Sequence, residues 1–195
     1  MYPIVYPKAA EKQERIDTLL ARQQTVDLSY ENLKDARERR LCIIYDKPAW
    51  FQIADNHALN PGDPILERKS CTPPTLKFIN LASELYGVDR HLILAIVVME
   101  TNSCFDVWPD RMREYRKPMG VSFDLWEELA GSERYIKDPA NNIEVGTLIV
   151  SRIQKKIRDP SVGKIASVFH QLDATVVNDY GAKVARLYQL LRRLG

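Results

Sequence analysis

The chain lacks a long apolar run. Its longest, Leu92 to Met99, has eight residues, far below the roughly 20 a helix needs to cross a bilayer. No membrane span is expected, and the run reads as a buried element. The opening residues also lack the pattern of a general export signal. Met1-Tyr2-Pro3-Ile4-Val5 passes into charged sequence at Lys8 and Glu11 with no apolar stretch or small-residue cleavage site. Nor does one sign of charge dominate: 28 basic and 26 acidic residues are mixed along the chain, so no nucleic acid is expected as a partner. A helix-turn-helix is disfavoured separately, because Leu92–Met99 is apolar where a recognition helix must be basic. Arg37, Arg39 and Arg40, interrupted by Glu38, read as a solvated helix face. Cysteine is scarce and odd in number. Cys42, Cys71 and Cys104 offer neither a zinc spacing nor a full disulfide framework; they read as small apolar core residues, with one pair left open in an oxidising compartment.

What is present is an ordinary globular composition, 45% apolar and 28% charged over 195 residues. That length suits a domain of about 120 residues with a small addition. Residues 1–74 are read as an N-terminal helical arm and irregular linker. Ile16, Leu19 and Leu20 form one helical stripe there, Tyr30, Leu33 and Leu41 a weaker one, and Pro61-Gly62-Asp63-Pro64 a turn. Residues 75–195 read as consecutive helices. Leu76, Ile79, Ala82 and Leu85 recur at spacing three, Gly87 suits a helix C-terminus, and Asp89 an N-cap for the apolar run. That run, rich in Ile and Val, fits a buried strand by composition and a helix by its neighbours. Ser122 is expected to cap a helix carrying Leu125, Trp126 and Leu129 and closed by Gly131. Asp138-Pro139 starts a long helix with the stripe Ile143, Gly146, Val150, Ile153, Ile157, which Asp159-Pro160 ends. Gly146 in that stripe suggests close approach of another backbone. Two further helices carry Ile165, Phe169 and Leu172, then Val184, Leu187, Tyr188 and Leu191. The class is mainly α.

The chemistry-bearing feature is a carboxylate at the end of the apolar run, Val97-Val98-Met99-Glu100-Thr101. A carboxyl group in apolar surroundings favours its protonated form, which suits a general acid near neutral pH. The stretch Tyr86-Gly87-Val88-Asp89 through Leu94-Ala95-Ile96-Val97-Val98-Met99-Glu100-Thr101 resembles the first motif of the soluble lytic transglycosylase family. Thr101 stands where that family has serine. Met119 to Gly131, Asp138-Pro139-Ala140-Asn141-Asn142-Ile143 to Gly146, Ile165 to His170, and Tyr180-Gly181-Ala182-Lys183-Val184 resemble its later motifs in order, over about residues 75 to 191.

The resemblance implies a lysozyme-like helical domain, catalysis by Glu100, and substrate binding by Thr101, Met119, Gly120, Phe169, His170 and Tyr180. The expected substrate and partner is the peptidoglycan glycan strand, cleaved with no metal or organic cofactor to a 1,6-anhydro product. Three positions depart from the pattern. A register fixed on Trp126 and Met119 puts Gly120 where the family has glutamine and Lys117 where it has glycine, and Phe169-His170 replaces a Tyr-Asn pair whose hydroxyl helps position substrate near the glutamate. His170 reads either as a partial substitute or as a structural histidine.

Hydrolysis of the lysozyme type is the neighbouring alternative. It would draw a second carboxylate from Asp106, Asp110 or Glu114. Trp108, Tyr115 and Trp126 stand as sugar-stacking candidates or core aromatics. A non-catalytic scaffold that binds peptidoglycan or a protein partner through residues 1–74 is the other reading. The expected site of action is the bacterial cell wall or periplasm, reached by a specialised secretion machine or a phage.

Overall fold

The computed structural model describes residues 36–45, 52–54, 73–101 and 117–194. Among the described residues there are eight helices: α1 (Ala36–Ile44), α2 (Pro73–Tyr86), α3 (Arg90–Thr101), α4 (Phe123–Ala130), α5 (Glu133–Lys137), α6 (Pro139–Lys156), α7 (Val162–His170) and α8 (Asp179–Leu194). No strand is formed among them, and one isolated parallel bridge joins Ala54 to Val176. The molecule is mainly α. No helix of the described residues is long and apolar enough to cross a membrane.

The Ile- and Val-rich run is helical. Asp89 starts α3 by accepting the His91 N–H at 2.8 Å, and Leu92, Ile93, Ala95, Ile96, Val97 and Val98 are all buried. Burial on nearly every side is what an all-apolar helix requires, and here α2 and α8 pack along it. Each large side chain so buried contributes about 1.5–3 kcal/mol relative to exposure.

The long helix α6 begins as its sequence indicates. Asp138 Oδ1 accepts from the N–H groups of Ala140 at 2.9 Å and Asn141 at 3.1 Å, with Pro139 in the first turn. Ile143, Val150, Ile153 and Ile157 are 0–1% exposed. The helix stops at Lys156, three residues before the expected Asp159-Pro160 boundary, and Asp159 takes a positive φ of 50°.

Two stripes differ from expectation. Leu85 is 43% exposed while Ile79, Ala82 and Ser83 are buried. A strict spacing of three loses about 60° per step on a 3.6-residue helix, so Leu76 and Leu85 end on opposite sides. Leu125 is 51% exposed whereas Trp126 is 5% exposed. In α4 the buried pair is Trp126 and Ala130, four residues apart, beside a non-helical Trp126 backbone (φ −130°). Trp126 is thus a core aromatic and presents no face to a sugar. Ser122 occupies the N-cap position of α4 without a side-chain capping bond.

The basic cluster on α1 departs furthest from its expected solvated role. Arg39 is buried, and its Nη1 donates to the carbonyls of Leu172 and Ala174, each at 3.2 Å. Arg40 lies 3.7 Å from Glu128. A guanidinium carries five donors in a fixed fork, which suits it to collecting loop carbonyls that have no helical partner. With Cys42, Ile43, Ile44 and Ile53 in the same core as α3 and α6, part of the stretch expected as an arm packs into the body of the protein. The helices expected before residue 36, the turn at Pro61–Pro64, Cys71, Cys104, Trp108, Tyr115 and the carboxylates Asp106, Asp110 and Glu114 lie outside the described residues.

Candidate active site

Glu100 is the penultimate residue of α3 and is partly exposed, at the point where the helix leaves the core. Thr101 behind it donates its hydroxyl to the Val97 carbonyl at 2.6 Å, a bond that serves the helix end.

One donor reaches the Glu100 carboxylate from the described residues. Tyr180, in the first turn of α8, gives its hydroxyl to Oε1 at 2.7 Å. Burial, then the charge of Glu100 and the hydrogen bond to it, push the Tyr180 phenol far above its ordinary range, so it remains a protonated donor at any working pH. Tyr180 is brought here by a close helix crossing. A Cβ at Gly181 would run into Ser167 Oγ and the Gly163 carbonyl; the absent side chain lets α8 lie directly on α7. Ser167 ties the crossing by donating to the Gly163 carbonyl at 2.7 Å and accepting from Asn178 N–H at 3.0 Å.

The second oxygen faces Gly120. That residue has φ 62°, and a Cβ built on it would overlap Oε2. Two independent demands therefore fall on one position, a left-handed backbone and empty space. The flanking backbone is held by Asn142 of α6, which is fully buried. Its Oδ1 accepts from Met119 N–H at 3.0 Å, while Nδ2 donates to the carbonyls of Val121 and Ile136, each at 3.1 Å. One turn on, a Cβ at Gly146 would lie 2.6 Å from Met119 Sδ, so the close approach expected there is with the Met119 side chain. The face of α6 carrying Asn142 and Gly146 is a platform that presses residues 119–121 against Glu100.

The structure thus gathers Glu100, Tyr180 and Gly120, and adds His170, whose ring stacks on Tyr180 with centroids 4.2 Å apart and planes 7° from parallel. It does not gather the others. Met119 is 1% exposed beneath the loop, and Phe169 packs against the core. A side chain at position 120 would push against the Glu100 carboxylate and strain a left-handed backbone. Asn142 was not singled out from the sequence; it lies inside the Asp138–Gly146 motif, but an amide clamping a distant loop leaves no periodic trace.

No protein-family model, curated protein or solved structure matches the chain.

Two other carboxylates show what Glu100 is not. Glu144, buried on α6, has each oxygen engaged by a tyrosine, Tyr86 at 3.0 Å and Tyr135 at 3.3 Å. Burial and this carboxylate together drive the Tyr86 phenol well above its usual range. Asp89 accepts from His91 and Tyr188 at the far end of α3. Among the described residues no three His, Cys, Asp or Glu side chains converge to hold a metal ion.

Chemically, the arrangement offers a carboxyl group with one oxygen fixed by a phenol and the other bordered by an exposed, side-chain-free residue. Among the described residues, the second oxygen lies against the Gly120 backbone and receives no side-chain donor. A carboxyl group held in this way is able to give or take a proton.

Proposed function

We propose that the protein cleaves peptidoglycan glycan strands between N-acetylmuramic acid and N-acetylglucosamine, with Glu100 as the single acid/base on a lysozyme-like scaffold. The observation that carries this reading is the asymmetric Glu100 carboxylate, held at Oε1 by Tyr180 and packed at Oε2 against the side-chain-free Gly120. The ordered motifs from Tyr86 to Val184 support it. In the proposed reaction Glu100, protonated, donates to the glycosidic oxygen as the bond to C1 breaks. The resulting carboxylate then takes the proton of the muramoyl 6-hydroxyl as that oxygen attacks C1. The products are a 1,6-anhydromuramoyl end and a new sugar hydroxyl, and Glu100 is protonated again. No water is consumed, and one carboxyl group performs both transfers.

Digestion of purified peptidoglycan by the wild type and by Glu100→Gln, with mass spectrometry of released muropeptides, tests the reading. Anhydromuropeptides from the wild type alone are expected. Reducing ends would instead assign hydrolysis, the lysozyme-type alternative, with a second carboxylate at work. No release by folded wild-type protein would overturn the enzymatic reading. The weight would then fall on a scaffold that binds the wall or a partner, a reading favoured by the loss of the family's sugar-facing amides at Gly120 and His170. Delivery by a specialised secretion machine or a phage belongs to the same proposal.

A further inference from the structure

We infer that His170 acts through Tyr180: its imidazole is the lid that holds the phenol on Glu100, and what the site needs at position 170 is a flat ring rather than a ring nitrogen. The effect on turnover rests on the reading of Glu100 as the acid/base; the effect on the carboxylate does not.

The geometry separates two ways in which a histidine could serve here. A histidine that binds substrate presents a ring nitrogen to it. His170 instead lays its face on the Tyr180 ring, 4.2 Å away and within 7° of parallel. It is the last residue of α7 and is itself exposed, so it stands between the tyrosine and solvent. The backbone beneath is locked by the Gly181–Gly163 crossing and by Asn178, whose Oδ1 accepts from Gly181 N–H at 2.9 Å. That lock fixes the Tyr180 Cα but leaves its side-chain torsions to be set. The stack sets them, because a ring packed flat against another cannot swing about χ1 without losing the contact.

The test compares His170→Phe, which keeps a flat ring and loses both nitrogens, with His170→Ala and His170→Asn, which lose the ring. Two readouts are taken on the full chain: kcat and KM on soluble glycan strands, and the 13C resonance of the Glu100 side-chain carboxyl, assigned through Glu100→Gln. Tyr180→Phe serves as the positive control for a displaced resonance. Ala and Asn are expected to lower kcat about three- to tenfold with KM changed by less than about twofold, the size expected for one aromatic contact expressed as rate, and Phe to restore it. The Glu100 resonance should move in Ala and Asn and return in Phe. The inference is overturned if Phe is as impaired as Ala, if the loss falls on KM, or if the resonance stays in place in Ala. Should the wild type show no turnover, the proposed function falls and the resonance decides alone: displaced by Ala and not by Phe supports the lid, unmoved by Ala removes it.

Discussion

The two ends of α3 carry the same pair of groups and put them to different use. At the N-terminal end Tyr188 donates to Asp89 Oδ2 at 2.7 Å; at the C-terminal end Tyr180 donates to Glu100 Oε1 at 2.7 Å. Both tyrosines come from α8, which runs antiparallel to α3, as the crossed order of the pairs requires. Asp89 is further engaged by the backbone and ring of His91 on its other oxygen. Burial alone would raise its pKa, but the bonds from Tyr188 and His91 outweigh it and hold the carboxyl below its ordinary range. It is a helix cap, committed on both oxygens. Among the described residues, Glu100 has a phenol on one oxygen and the Gly120 backbone against the other. A carboxylate–tyrosine pair is therefore no signature of a site in itself; among the described residues, Asp89 has donors on both oxygens and Glu100 on one.

The comparison breaks first if the two carboxylates prove interchangeable in activity. Glu100→Gln should lower glycan cleavage by about 10²–10⁴-fold, the usual scale for losing a general acid, while Asp89→Asn leaves kcat unchanged; steady-state rates on glycan strands check both. Next come the twin tyrosines. Tyr180→Phe removes a hydrogen bond to a charged group, worth about 1.5–3 kcal/mol, and should lower kcat by about ten- to a hundredfold. Tyr188→Phe should leave kcat alone.

Gly120→Ala sharpens the contrast at the second oxygen. It forces a side chain into left-handed backbone at a cost of about 1–2 kcal/mol, readable in urea unfolding, and displaces Glu100 Oε2, so activity should fall beyond what the folded fraction explains. The counterpart at the capping end, Asp89→Ala, should cost about 1 kcal/mol of stability, as loss of an N-cap does, with activity per folded molecule retained.

The smallest effect is in pH. Because the Asp89 carboxyl titrates below its ordinary value when folded, its stabilising contribution is complete above the unfolded pKa of about 3.9. It is lost as pH falls through the folded value. Urea midpoints measured from pH 6 downward should therefore decline less steeply in Asp89→Asn than in the wild type.

Much of the scaffold was legible because local rules govern it. Asp138-Pro139 started α6 where a cap followed by proline must, and Gly87 and Gly131 took the positive φ that closes a helix. Asp89 was legible as a cap, though nothing local revealed Tyr188 beside it. Arg39 was misread, since charge density describes a helix face only while its side chains reach water, and this guanidinium is called inward by carbonyls more than 130 residues away. Glu100 stood out as a carboxylate ending an apolar run. Its surroundings did not, because Tyr180, Gly120 and Asn142 reach it or its loop across sequence distances that no periodicity encodes.

Sequence alone determined a mainly α chain, the start of α6, the apolar character of the Leu92–Val98 run and the position of one unusual carboxylate, all readable from residues within a few positions of one another. Tertiary structure decided what that carboxylate faces: the α7–α8 crossing at Gly181 delivers Tyr180, and Asn142 holds Gly120. What each oxygen meets depends on where three separate helices place their ends, and that is fixed only when they pack.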